Sequence, residues 1–234
     1  MKEFNVKELL DEEFQIFIGR IGSGKTEIAI NVALKMNEQG IKNTLFDMDV
    51  VKPYVRIRDI KGELIGKHHL NIVAPPDVTR MLDLPIFPKF IIGKLMEKNV
   101  QKILDVGGDA YGAGSIAQFR EYIPQGTYNL FFVVNTFRPE TSTKDEILKA
   151  MAVVQNASKM QITGIVFNSN LRWETTEDDL KKGFKIVKEV SDYTKLPIVF
   201  GCVDEKNMSI AESLDIPVLP LKLFVNPLPP LGAR

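Results

Sequence analysis

Eight residues, Gly19-Arg-Ile-Gly-Ser-Gly-Lys-Thr26, have the types and spacing to hold a phosphate chain. Gly19, Gly24, Lys25 and Thr26 complete the pattern G-x-x-x-x-G-K-[ST]. Gly19, Gly22 and Gly24 let the backbone curl so that its N–H groups, that of Ser23 among them, face one point. The positive end of a following helix would add to that anion site. Lys25 would then reach the β- and γ-phosphates, and the Thr26 hydroxyl would ligate Mg²⁺. Four fixed positions match by accident in roughly 1% of chains of this length at average residue frequencies. Phe14 to Ile18 reads as a buried strand, and Ile28, Ala29, Val32, Ala33 and Leu34 recur at helical spacing. The motif therefore sits in the strand–turn–helix context that its chemistry requires.

Further polar residues fall where apolar runs end. Asn43 to Asp49 reads as a second strand and places Asp47 and Asp49 at its end. Asp105 closes Lys102-Ile-Leu, an arrangement of Walker B type whose carboxylate would support Mg²⁺; Asp47 is a second candidate for the metal. Gly107-Gly108 would let a backbone N–H approach a γ-phosphate, and Asp109 follows directly. Any one such Asp could simply cap a loop; their convergence on a phosphate loop favours chemistry.

The elements that must position these groups alternate. Strands are expected at Leu70–Ala74, Gln101–Gly108, Tyr128–Asn135, Gln161–Asn168 and Pro197–Phe200. Helices are expected at Ile86–Lys98, from Thr143 to Asn156, from Thr176 to about Tyr193, and briefly near Ser209–Leu214. Thr143-x-x-Glu146 and Thr176-x-x-Asp179 have capping-box spacing. Residues 50–68 read as irregular and charged, and Pro217 to Arg234 reads as a proline-rich tail, its five prolines excluding a regular helix. The fold expected is α/β, a doubly wound, mostly parallel sheet flanked by helices, with residues 1–234 forming one nucleotide-binding domain.

Thirty basic residues balance thirty acidic ones, so no global field draws the chain to nucleic acid or to anionic lipid. The one cysteine, Cys202, excludes an intrachain disulfide and reads as a small core residue. His68-His69 makes a poor metal site, with no Cys or second His pair near it. Met1 to Glu13 has no apolar segment of secretory type, and no run reaches the length of a membrane span. The expectation is a cytoplasmic protein with no membrane anchor.

The phosphate loop, Asp47-Met-Asp-Val-Val-Lys52 and Asp105-Val-Gly-Gly-Asp-Ala-Tyr-Gly112 together resemble the MinD/ParA/nitrogenase-iron-protein class of ATPases. Ile165-Val-Phe-Asn-Ser-Asn170 is similar to the adenine-contacting segment of the iron protein. The resemblance covers about residues 14–180. It implies that ATP and Mg²⁺ are bound, that Asp49 in switch I orients the attacking water, and that Asp105 supports the metal. It also implies that Asp109 lies in switch II and that Asn168 reads the adenine edge, with a buried strand-end Asn as the rival reading.

Three departures matter. The family's signature lysine is Arg20 here, and the glycine after it is Ile21. The cluster-binding cysteines of the iron protein are missing, so no Fe–S cluster is expected. The tail lacks the basic amphipathic helix by which septum-site members hold membranes.

Three functions compete, and against one of them, a non-hydrolysing nucleotide-binding module, the intact Asp49 and Asp105 argue. Of the remaining two, one is an ATPase switch, read by an unidentified protein partner, in which two copies meet across ATP and Arg20 acts in trans; Arg20 as a plain surface residue is the alternative. The other is a ligase- or kinase-like enzyme of the dethiobiotin-synthetase kind, with an acceptor pocket drawn from Lys52, Arg56 and Arg58. The absence of N-K-x-D disfavours guanine as the base.

Overall fold

The computed structural model describes residues 2–49, 57–75, 89–171 and 174–224. Nine strands are found among them: β1 (Lys2–Glu3), β2 (Phe14–Gly19), β3 (Asn43–Asp47), β4 (Ile72–Val73), β5 (Gln101–Gly107), β6 (Tyr128–Val134), β7 (Gly164–Phe167), β8 (Ile198–Asp204) and β9 (Pro217–Leu221). They form one sheet in the order β1-β9-β8-β7-β6-β2-β5-β3-β4, with every pairing parallel. The described helices are α1 (Lys25–Glu38), α2 (Ile57–His68), α3 (Lys89–Leu95), α4 (Ala110–Ala117), α5 (Lys144–Ser158) and α6 (Glu177–Thr194). The expected doubly wound α/β architecture is therefore present.

Parallel strands covered on both faces must be apolar on both, and β2, β5 and β6 are. Ile16 and Ile18 join Leu104, Leu130 and Phe132 in a core packed against α3, α4, α5 and α6. Phe17 turns the other way with Ile103, Phe131 and Val133, into a core built on α1 and α2. Cys202 is fully buried in this second core, and burial pushes its thiol well above the ordinary range, which leaves it unreactive at neutral pH. Both expected capping boxes form: Thr143 with Glu146 opens α5, and Thr176 with Asp179 opens α6.

The chain reverses direction across the sheet between β2 and β6. From β2 it moves outward through α1 to β3; from β6 it moves the opposite way through α5 to β7. The connections leaving two adjacent strands thus diverge, which opens a crevice at their carboxyl ends, where such folds place ligands.

Two expectations are corrected. Residues 57–68 form helix α2 rather than continuing an irregular segment. The apolar positions Ile57 and Leu64, one every two turns, are buried against the core and hold it there despite the charges between them. The proline-rich tail begins with a strand, Pro217–Leu221, inside the sheet. Its prolines fit because neither removes a needed ladder bond. Pro217 is the strand's first residue. Val218 O accepts from Phe4 N, so Pro220, two residues on, turns its missing donor to the same edge, beyond the end of β1.

After β9 the chain crosses α1. The Asn31 side chain exchanges two hydrogen bonds with the backbone of Lys222, and Phe224 N donates to the Glu27 carboxylate. Of the residues expected in the tail, 225–234 lie outside the described ones.

Candidate functional site

β2 delivers the loop, and α1 begins inside it at Lys25. Gly22 and Gly24 take φ values of +78° and +90°, where a side chain would be strained. Gly24 is the residue from which α1 starts, so the turn brings the helix N-terminus directly under the loop. The β2–β5 and β3–β5 registers pair Gly19 with Gly107 and Asp47 with Asp105. Three strand ends predicted to converge do so.

The side chains interlock there. Thr26 Oγ1 donates to Asp105 Oδ2 at 2.7 Å, and Lys25 Nζ stands 3.0 Å from Asp49 Oδ2. Lys25, Asp47, Asp49 and Asp105 are all nearly fully buried. Buried charges persist only when paired or when they hold a cation, so this concentration of carboxylates around one lysine and one threonine marks a site for charged ligands. A hydroxyl and carboxylates suit a hard cation with oxygen ligands, which is the chemistry of Mg²⁺ held together with a phosphate chain. Thr26 and Asp105 would hold the ion, with Asp47 beside them. When bound, Mg²⁺ neutralises charge developing on the phosphate oxygens. Among the described residues no three His, Cys, Asp or Glu side chains are grouped so as to hold a metal ion on their own.

Gly108 lies so close to the backbone of Gly19 that a Cβ would collide with its carbonyl. That contact sets the turn after β5 directly against the phosphate loop. Asp109 does not point into the site in this structure: its carboxylate caps α4, accepting from Tyr111 N at 2.9 Å and Gly112 N at 2.8 Å. The helix that it caps went unrecognised in the sequence. It runs Ala-Tyr-Gly-Ala-Gly-Ser-Ile-Ala, whose two glycines and short length conceal its periodicity.

The Asn168 side chain donates to Ser23 O at 2.7 Å, and its Oδ1 accepts from Asn170 at 2.7 Å. It thus ties the end of β7 to the phosphate loop, and is buried in doing so. Beyond it lies a narrow cleft of about 20 Å³, lined by Asn170, Thr175 and Asp204 with Leu180, Val203 and Leu221 among its apolar walls. Apolar walls with a few convergent polar groups are the lining of a ligand site, but this volume holds about one water, so the walls would have to part to admit a heterocycle. Asn170 and Asp204 were not singled out from sequence, because nothing local signals that the ends of β7 and β8 face the same cleft.

Arg20 makes a bidentate pair with Glu140, on the 3₁₀ turn Pro139–Thr141 after β6; its Nε donates to Oε2 at 2.6 Å and its Nη2 to Oε1. Hydrogen bonding to Glu140 holds the arginine pKa above its ordinary value and the glutamate pKa below its own. Arg138, two residues before Glu140, lays its guanidinium over Gly22 and donates from Nε to Gly22 O at 3.1 Å. Asn135 Nδ2 donates to the same carbonyl at 3.3 Å. The loop after β6 therefore braces the phosphate loop across the crevice, a role the sequence did not announce. Lys52 and Arg56, offered as part of an acceptor pocket, lie outside the described residues, as does the Arg58 side chain.

The CobQ/CobB/MinD/ParA nucleotide binding domain family matches residues 16–190, more than half of the chain. The protein belongs to that family. None of the curated protein sequences matches it. Solved structures share its fold: the cell division protein FtsY of Thermotoga maritima, at 14% identity and a TM-score of 0.55, covers 86% of this chain. The chloroplast FtsY of Physcomitrella patens gives 14%, 0.55 and 86%, and FtsY of Mycoplasma mycoides 14%, 0.53 and 85%. This chain spans 66%, 62% and 61% of those three chains respectively, just under two thirds of their length. At such identity the likeness speaks for the fold alone, a parallel sheet flanked by helices. Among the described residues, no helix is long and apolar enough to cross a membrane.

Proposed function

We propose that this protein is a Mg²⁺-dependent ATPase that works as a nucleotide switch on a partner. The observation that carries the reading is the junction of Lys25, Thr26, Asp49 and Asp105 at three neighbouring strand ends. A nucleotide bound there would lay its phosphates across the loop amides and its base beside Asn170, where the narrow cleft would open to admit it. Lys25 would exchange its contact with Asp49 for the β- and γ-phosphates. Asp49, so released, is the acceptor that would orient the attacking water. Gly108, pressed against Gly19, is the backbone donor next to a terminal phosphate. The β3 and β5 ends carry these groups, so the segments following them would change shape between triphosphate and diphosphate, and a partner would read that shape. An ATP-dependent homodimer, face to face across the nucleotide, belongs to this reading.

Phosphate release from ATP by the purified protein tests it, first alone and then with a panel of metabolites. Slow turnover with Mg²⁺ and none without it is expected. A burst with a single metabolite would replace the switch by a phosphoryl-transfer or ligase enzyme.

ATP is expected to bind more tightly than GTP. The sequence has no N-K-x-D, and Asn170, whose Nδ2 donates to Asn168 in this structure, has an amide that would turn a donor and an acceptor to the adenine edge on exchanging that bond. Asn168 would act there chiefly by fixing the loop. Calorimetric titration with both nucleotides decides, and equal affinities or tighter GTP would reverse the assignment and point to Asp204 as the base-reading group.

A further inference from the structure

We infer that Glu140 is a specificity-determining residue: it occupies Arg20 as an internal stand-in for a phosphoryl group and thereby sets how sharply the site distinguishes a nucleoside triphosphate from a diphosphate. This rests on the nucleotide-binding reading above.

The geometry is that of phosphate recognition. Two parallel N–H donors of Arg20 meet the two carboxylate oxygens of Glu140, the same fork that a guanidinium offers to two phosphoryl oxygens. Arg20 also directs Nη1 at Gly108 O, at 3.4 Å, so it already touches the backbone turn packed on Gly19. The guanidinium is thus parked at the rim of the phosphate loop with its recognition capacity spent on a side chain.

Glu140 is held where it can do this. Pro139 fixes the turn that carries it, and buried Thr141 anchors that turn by donating to Asn135 O at 2.8 Å. Asn135 in turn donates to Gly22 O of the loop itself. The carboxylate is therefore positioned by the loop it regulates.

The pair is also breakable. Glu140 is 56% exposed and Arg20 21%, and exposed ion pairs contribute little because water screens them and two long side chains must be ordered. A terminal phosphate carries more charge and three oxygens, so it competes for Arg20 on favourable terms. A diphosphate lacks that group and leaves Arg20 with Glu140. Binding of the triphosphate then includes the cost of opening the pair, and the discrimination between the two nucleotides is smaller than Arg20 could otherwise give.

Glu140→Gln keeps the shape and removes the charge. Titration of Mg²⁺ with ADP, and with a hydrolysis-resistant ATP analogue, is compared for the unaltered protein, Glu140→Gln, Arg20→Ala and the double variant. Glu140→Gln is expected to bind the analogue roughly two- to fivefold more tightly, the range of an exposed ion pair, with ADP affinity unchanged. Arg20→Ala should lower the preference for the analogue below that of the unaltered protein, and Glu140→Gln should add nothing in that background. An unchanged preference in Glu140→Gln, or the same gain without Arg20, would overturn the inference while leaving nucleotide binding intact. Failure of the unaltered protein to bind either nucleotide would instead overturn the proposed function, and this inference with it.

Discussion

Lys25→Ala is expected to abolish tight binding of ATP and to lower the stability of the free protein as well. The first effect follows from deleting what is, among the described residues, the one buried cation placed at the loop that would cradle the β- and γ-phosphates. The second follows from the pair that Lys25 makes with Asp49, 3.0 Å apart and almost wholly out of water. Removing one partner of a buried ion pair leaves the other charge desolvated, which typically costs about 3–5 kcal/mol. Calorimetric titration and thermal melting separate the effects. Lys25→Met fills more of the vacated volume than alanine, and should recover part of the melting temperature while still failing to bind. Melting and ATP affinity both unchanged in Lys25→Ala would mean that the lysine faces neither Asp49 nor the nucleotide.

Asp49→Asn should behave in the opposite way toward the ligand. The asparagine keeps the shape and removes a buried negative charge that competes with phosphate for Lys25. ATP binding is therefore expected to hold or tighten. Turnover is expected to fall by roughly two to three orders of magnitude, the usual range for losing one positioned group in the transition state. Single-turnover hydrolysis measures the chemical step directly. Sedimentation of the same variant with ATP reads association, and a stalled triphosphate state should favour the face-to-face pair of copies. Normal turnover in Asp49→Asn would shift the water-orienting role to Asp47 or Asp109. Asp109 starts at a disadvantage, because its carboxylate is engaged in capping α4.

Both outcomes depend on features that differ in how openly the chain declares them. The phosphate loop is legible in sequence because its chemistry is local. Glycines must stand where the backbone turns tightly, the lysine and threonine must follow at the helix start, and an apolar strand must precede them. The boundary of β2, the start of α1 and both capping boxes are also short-range, each set within a few residues, and they formed as expected. Asp105 and Asp47 could be named because an acidic residue closing an apolar run is itself a local signal.

What the sequence could not contain is which strand lies beside which. Phe17 pairs with Asp105 on one side and with Phe131 on the other, and those residues are far apart along the chain. The strand order alone brings Glu140 and Arg138 across the crevice to the loop, and it sets Arg20 opposite a carboxylate of its own chain. Asn168 has the same history. Its position at a strand end was visible, but its bond to Ser23 follows from β7 lying one strand beyond β6. The strand at Pro217–Leu221 was hidden for another reason, since proline argues against strands until the edge it faces is known. Local sequence determined the phosphate chemistry of this protein, because tight turns and helix starts are decided among neighbours. The tertiary structure decided which charges oppose one another around it, because side chains from different strands meet only when the sheet is assembled.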